Sequence, residues 1–194
     1  ERVKKTLTNV RQKKQEIGTV INQDILEKQA KSSYLGIGSN LGNKLSNIEA
    51  AKNLLIKNNV YIEESSSFYE TPSWPNKRFP KFLNIIIKIN TNLSLIDLFL
   101  TIKSIEKKIG RKNALRNYPR VCDIDIIDFK GLIAKKRINN HLIEVPHPRM
   151  NSRNFVIFPL FEVNKTWIHP KTKANISSII NQLSNRGFSD IRIV

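Results

Sequence analysis

At 194 residues, 40% of them hydrophobic, the chain has the length of one domain plus an appendage and enough apolar content for one sizeable core. Thirty-three lysines and arginines against 16 acids leave a formal charge of +17, which favours polyanions (nucleotides, nucleic acid, phosphorylated metabolites, anionic lipid) without choosing among them. A lone cysteine, Cys122, excludes an intramolecular disulfide framework and fits a reducing, cytoplasmic setting, and no apolar run reaches the ~18 to 20 residues of a membrane-spanning helix.

Residues 1–31 hold no aromatic residue and no proline. Apolar positions Val3, Leu7 and Val10, then Ile17, Ile21 and Ile25, recur at helical spacing, so the segment reads as a basic helical extension or linker. Glu1, Glu16, Asp24 and Glu27, with no serine before Ser32, speak against a transit peptide. The first residue is not methionine, which suggests a piece of something longer, such as a protein with an upstream fused domain. A second unit, residues 32–194, has a different texture.

In that unit residues 34–38 predict a strand running into the turn Ser39-Asn40-Leu41-Gly42, and residues 43–58 a helix with Ile48, Ala51, Leu54 and Leu55 on one face. Residues 60–69 and 82–90 read as strands. The loop between them carries Pro72, Pro75 and Pro80, which keep it out of a sheet. Ser94 with Asp97 makes a capping box ahead of Leu98, Ile102, Ile105 and Ile109, and Gly110 ends that helix. Residues 122–129 predict a strand, and residues 132–138 a second one able to pair with it across Lys130-Gly131. The order βαββαβ predicts an α+β fold, a ferredoxin-like sandwich: a mainly antiparallel sheet with both helices on one face. Residues 155–161 and 176–183 add short C-terminal helices around the core.

Two familiar phosphate motifs are absent. Gly36, Gly38 and Gly42 miss the G-x-G-x-x-G spacing, and no Gly-Lys-Ser/Thr run makes a P-loop, so any nucleotide site is built differently. The densest chemistry lies in residues 116–128. Strand alternation puts Asp123 and Asp125 on one face, roughly 6.5 Å apart along the chain, and Cys122, Ile124 and Ile126 on the apolar one. Like charges so placed repel unless cations sit between them. Magnesium suits the pair, since carboxylates, substrate phosphates and water complete its octahedral shell, and two ions could share it. Arg111, Lys112, Arg116 and Arg120 crowd the preceding loop, bringing phosphate-binding cations to the same strand end.

Pro119-Arg120 before Asp123-Ile124-Asp125-Ile126-Ile127, then Val145-Pro146-His147-Pro148-Arg149-Met150 with Arg153 and Phe155, resembles the 6-hydroxymethyl-7,8-dihydropterin pyrophosphokinase family. Gly38-Ser39-Asn40-Leu41-Gly42, the run Ser66 through Pro72, and Phe82-Leu83-Asn84 follow the same family order, so the resemblance spans residues 33–194. One departure is Asn117-Tyr118, where the family usually has Trp-Gly before the Pro-Arg, in a loop about one residue short.

The resemblance implies diphosphate transfer from ATP to the pterin hydroxymethyl group in folate biosynthesis, with release of AMP. It implies catalytic Arg120, Asp123 and Asp125, the two acids holding two Mg2+ ions. ATP would be met by Glu106, Arg116, Arg120, Ile126, His147 and Arg153, and the pterin by Gly38, Thr71, Pro72, Phe82, Asn84 and Phe155. It implies small-molecule partners, ATP and the pterin, without nucleic acid or membrane, and fusion or adjacency to another folate-pathway domain. The rival reading, a basic α+β module tracking a nucleic-acid backbone, is opposed by two carboxylates at the centre of the positive surface, which repel phosphates in the absence of metal.

Overall fold

The computed structural model describes residues 32–111, 118–138, 140–183 and 190–194. The helical expectation for residues 1–31 lies outside them, as do Arg116 and most of its loop. The central sheet has the order β5-β1-β4-β3-β8: β1 is Ser33–Ser39, β3 Tyr69–Thr71, β4 Phe82–Thr91, β5 Asp123–Phe129 and β8 Arg192–Ile193. Strand β2, Val60–Ser65, also pairs with β4, and every pairing in this sheet is antiparallel.

Helices α1 (Lys44–Lys57) and α2 (Leu95–Ile109) cover one face. The sequence dictates three of their four ends: Asn43 Oδ1 accepts from Ser46 N–H, Ser94 Oγ accepts from Asp97 N–H, and Gly110 closes α2 at φ 103°, a conformation that costs other residues strain. Ile48, Ala51 and Leu55 of α1 and Leu98, Ile102 and Ile105 of α2 pack on Leu35, Ile37, Ile85, Ile87, Ile124 and Ile126, all 8% exposed or less. Truncating any of the large ones to alanine costs about 2 to 5 kcal/mol.

The opposite face is half covered. Helices α3 (Asn154–Val163) and α4 (Ile176–Gln182) build a second core with Tyr34, Ile86, Ile127 and Trp167, which leaves the Asp123 end of that face open. Asp128, fully buried, accepts from Trp167 Nε1–H at 2.9 Å and from Gly131 N–H at 3.0 Å.

Two expectations are corrected. Residues 60–69 are two strands on β4, interrupted where Ser66 N–H turns to Ile86 O and Glu162 of α3 takes the N–H and hydroxyl of Ser67. Residues 132–138 do not pair with β5. The turn forms, with Lys130 and Gly131 at φ 53° and 68° and Leu132 N–H on Phe129 O. But the outer edge of β5 is already engaged: Ile124 N–H donates to Glu106 and Ile127 O accepts from His147 N–H. The chain instead makes a separate ribbon of β6 (Ala134–Ile138) and β7 (His141–Val145).

Candidate active site

The pairing register lays a single row across the sheet. Gly38 of β1 faces Asn84 of β4 on one side and Asp123 of β5 on the other; Gly36 likewise lies between Ile86 and Asp125. With strands about 4.8 Å apart, Asn84 and Asp123 stand roughly 10 Å from each other, above a floor without side chains. Glycine is demanded at 38, because a Cβ there would stand 2.9 Å from Asn84 Oδ1. The alternation read from sequence holds: Cys122, Ile124 and Ile126 enter the core under α1 and α2, while Asp123 and Asp125 stand on the other face, half-exposed.

Each carboxylate is met by arginine. Asp123 accepts from Arg111 Nη1 at 2.7 Å and from Arg120 Nη1 at 2.9 Å; Asp125 accepts from Arg153 Nη1 at 3.2 Å. These guanidiniums are the cations that the repulsion argument required. Burial lowers the pKa of Arg111, but Asp123 and Glu106 together outweigh it and raise the value; burial and Arg149 leave Arg153 lowered despite Asp125. His147 Nε2 is 3.9 Å from the same Asp125 oxygen, and its Nδ1 accepts from Arg149 N–H, so a neutral ring carries its proton on Nε2, facing the acids. Burial, aided by Arg153 and Arg149 against the pull of Asp125, lowers the His147 pKa.

Glu106 reaches this group indirectly. At 2% exposed on α2, it accepts from Ile124 N–H, Lys103 Nζ and Arg111, and so holds both β5 and the Arg111 guanidinium in place. The Ile126 side chain is not brought to the acids; it lies in the opposite core. Burial, with Glu106 and Asp123 nearby, pushes the Cys122 thiol up to about 12, so it stays protonated and is no nucleophile.

At the other end of the row, Asn84 Nδ2 donates to Thr71 Oγ1 at 3.0 Å and to Tyr69 O at 3.4 Å, which leaves its oxygen over Gly38. Phe82 packs beside Gly38, and Pro72 continues from Thr71 into the loop. Phe155 opens α3, half-buried, with Arg153 Cζ 5.4 Å from its ring centre. Gly38, Thr71, Phe82, Asn84, Asp123, Asp125, His147, Arg120 and Arg153 therefore share one face and one end of the sheet. Asn40 and Arg111 are the residues that sequence reasoning passed over or left unassigned; Arg111 was signalled by its place directly after the Gly110 cap.

Two carboxylates fit magnesium. Among the described residues no three His, Cys, Asp or Glu side chains gather, so the pair suits an ion whose shell is completed by substrate phosphates and water. Also among the described residues, no helix is long and apolar enough to cross a membrane.

The family model for 7,8-dihydro-6-hydroxymethylpterin-pyrophosphokinase matches residues 34–165. The 2-amino-4-hydroxy-6-hydroxymethyldihydropteridine pyrophosphokinase of Aquifex aeolicus is 39% identical over 137 residues, 71% of this chain and 82% of that protein. Folic acid synthesis protein FOL1 of Dictyostelium discoideum is 38% identical over 154 residues, 79% of this chain but only 23% of the relative. A Plasmodium falciparum HPPK-DHPS crystallised with pterin and p-hydroxybenzoate shares the fold, with a TM-score of 0.67 at 13% identity over 84% of this chain and 47% of that one. The chain thus spans most of the Aquifex protein and under half of the other two. With the matched model running from β1 through the carboxylate strand and α3, the chain belongs to the 7,8-dihydro-6-hydroxymethylpterin-pyrophosphokinase family.

Proposed function

We propose that the chain transfers the diphosphate group of ATP to the hydroxymethyl oxygen of 6-hydroxymethyl-7,8-dihydropterin, releasing AMP, as a step of folate biosynthesis. The observation that carries this reading is the cross-sheet row Asn84, Gly38, Asp123. It supports the reading because an amide and a carboxylate stand about 10 Å apart with a bare glycine floor between, room for a flat ring's edge at one end and a metal-bound phosphate at the other.

At the pterin end, the Asn84 oxygen accepts from the ring edge, and Phe82 and Phe155 supply the two faces of a stacked sandwich, with Thr71 and Pro72 bounding it. At the nucleotide end, Asp123 and Asp125 hold magnesium. When bound, the ions neutralise phosphate oxygens and help align the β-phosphorus with the attacking hydroxyl. Arg111 and Arg120 exchange Asp123 for phosphate oxygens, while Arg153 and the Nε2–H of His147 donate to phosphates above Asp125. Glu106 supports Arg111 from beneath. Ile126 serves through its main chain: the ladder alternation that turns Ile124 N–H outward turns the Ile126 amide to the same edge, where a planar base can pair with it. Catalysis is then positioning and charge neutralisation, with little covalent work for the protein.

Residues 32–194 form the catalytic unit in this reading, residues 1–31 a dispensable extension, and the reduced, buried Cys122 fits the cytoplasm. The products test the chemistry. Attack at the β-phosphorus yields AMP and a pterin diphosphate by phosphorus NMR, whereas ADP with a pterin monophosphate overturns the proposal.

A further inference from the structure

Asn40, in the turn between β1 and α1, is 2% exposed and spends its hydrogen-bonding groups on two distant segments. Its N–H donates to Arg120 O at 3.2 Å, and its Oδ1 accepts from Arg120 N–H at 2.8 Å, so a single residue clamps the Arg120 main chain from both sides. Its Nδ2 donates to Ser73 Oγ at 3.1 Å and to Pro80 O at 3.1 Å, and Ser73 Oγ donates to the same Pro80 oxygen at 2.6 Å. Ser73 and Pro80 begin and end the loop that joins Thr71 and Pro72 to Phe82. The turn itself is anchored, with Asn47 Nδ2 of α1 donating to Ser39 Oγ and Leu41 O. A second tie joins the same two segments: the Phe79 and Tyr118 rings are 5.6 Å apart.

Any one of these bonds is ordinary loop packing. Their convergence is not, because the two segments carry the phosphate-facing Arg120 and the pterin-facing Phe82. An amide is the right group, since it combines an acceptor with two donated hydrogens; aspartate keeps the first and lacks the second. We propose that Asn40 is a positioning residue which fixes Arg120 relative to the pterin loop, so that the hydroxymethyl oxygen and the β-phosphorus meet in line. This rests on the reaction proposed above. A misplacement of about 1 Å between reacting groups can lower the rate about 100-fold, which sets the scale of the effect.

The test compares Asn40→Ala, Asn40→Asp and Ser73→Ala, each checked for folding by circular dichroism and thermal melting. Expected are a kcat lowered about 100-fold in Asn40→Ala, with the Kd for a non-hydrolysable ATP analogue and Mg2+ within about threefold of wild type. Asn40→Asp retains the acceptor for Arg120 N–H and should recover part of kcat while raising the pterin KM. Ser73→Ala, with the Pro80 bond intact, should stay within about threefold. Folded Asn40→Ala with wild-type kcat and KM overturns the proposal, as does a loss that only tracks the unfolded fraction. If the alanine variant does not fold, an Asn40→Asp enzyme with wild-type pterin KM overturns it instead. Failure of the wild-type chain to form AMP would overturn the underlying reaction and not the role of Asn40 alone.

Discussion

Arg111 donates to Asp123 at 2.7 Å, on the carboxylate oxygen opposite the one that Arg120 holds. Both oxygens of the proposed metal ligand are therefore engaged by cations, and an ion arriving alone must displace at least one. In the proposed reading the nucleotide relieves this competition, because its phosphates offer the arginines another anion. Mn2+ titrated without nucleotide, followed by electron paramagnetic resonance, should bind about tenfold more tightly to Arg111→Ala than to wild type, while the affinity for an ATP analogue falls. Unchanged Mn2+ binding would show that the pair is no barrier to the metal.

The same pairing alters what neutralising an acid does to stability. Two adjacent carboxylates read from sequence alone suggest relief of repulsion when one becomes Asn. In the structure Arg153 lies against Asp125 and is itself four-fifths buried, so Asp125→Asn removes the partner of a buried cation. The metal-free variant should lose on the order of 1 kcal/mol and about 2 to 4 °C in Tm, with activity down by orders of magnitude. A rise in Tm would restore the repulsion argument.

Glu162 provides a pH signature away from the reacting groups. Burial raises its pKa, but bonds from the Ser67 hydroxyl and N–H, and from Tyr69 Oη at 2.8 Å, outweigh it and leave the folded value below the ordinary 4.5. The contribution is thus present above pH 4.5 and is lost as pH falls through the folded value. Glu162→Gln should cost a few tenths to about 1 kcal/mol at pH 7, small because the carboxylate is exposed, and progressively less in acid, measured by urea unfolding at both. A penalty independent of pH would mean that shape, not charge, is what Glu162 supplies.

What could be read from sequence follows from how local each signal is. The facing of Asp123 and Asp125 was legible because the first half of β5 buries one side only and period-two alternation holds there; beyond Ile126 the register shifts and both faces are buried. The caps at Ser94 and Gly110 act within four residues and were equally plain, whereas Asn43, read as the first helical residue, is the cap itself. The hairpin after Gly131 failed because strand pairing is a competition, and the β5 edge was taken by Glu106 and His147, 18 and 20 residues distant in sequence from their partners. Asn40 was visible as a turn residue in a family-like run but with no role; its partners lie 33 to 80 positions away, and no local pattern announces them.

Phe155 tests the stacking half of the site. It is half-buried at the start of α3 with Arg153 Cζ 5.4 Å from its ring centre, and in the proposed reading it stacks on the pterin. Phe155→Ala should weaken pterin binding far more than ATP-analogue binding, since stacking contributes about 0.5 to 1.5 kcal/mol beyond the area buried. Calorimetry with each ligand separately measures both, and equal losses would place Phe155 outside the pterin pocket.

Gly38 tests the floor. An alanine there would put its Cβ 2.9 Å from Asn84 Oδ1 and 3.5 Å from Phe82 Cδ1. Asn84 cannot step aside cheaply, because its Nδ2 is fixed by Thr71 Oγ1 and Tyr69 O. The methyl group therefore both fills the space above the row and shifts the Asn84 oxygen. Overpacking of this kind costs about 1 to 3 kcal/mol, a loss that leaves most domains folded. Gly38→Ala should accordingly melt lower yet remain cooperative, lose pterin affinity by at least about tenfold, and bind the ATP analogue within about threefold of wild type. The comparison is sharp because Asp123, the next residue along the row, is untouched by the added methyl. Pterin binding at wild-type strength in a folded Gly38→Ala protein would mean that the ring lies elsewhere, and that the glycine serves only the packing of β1 between β4 and β5.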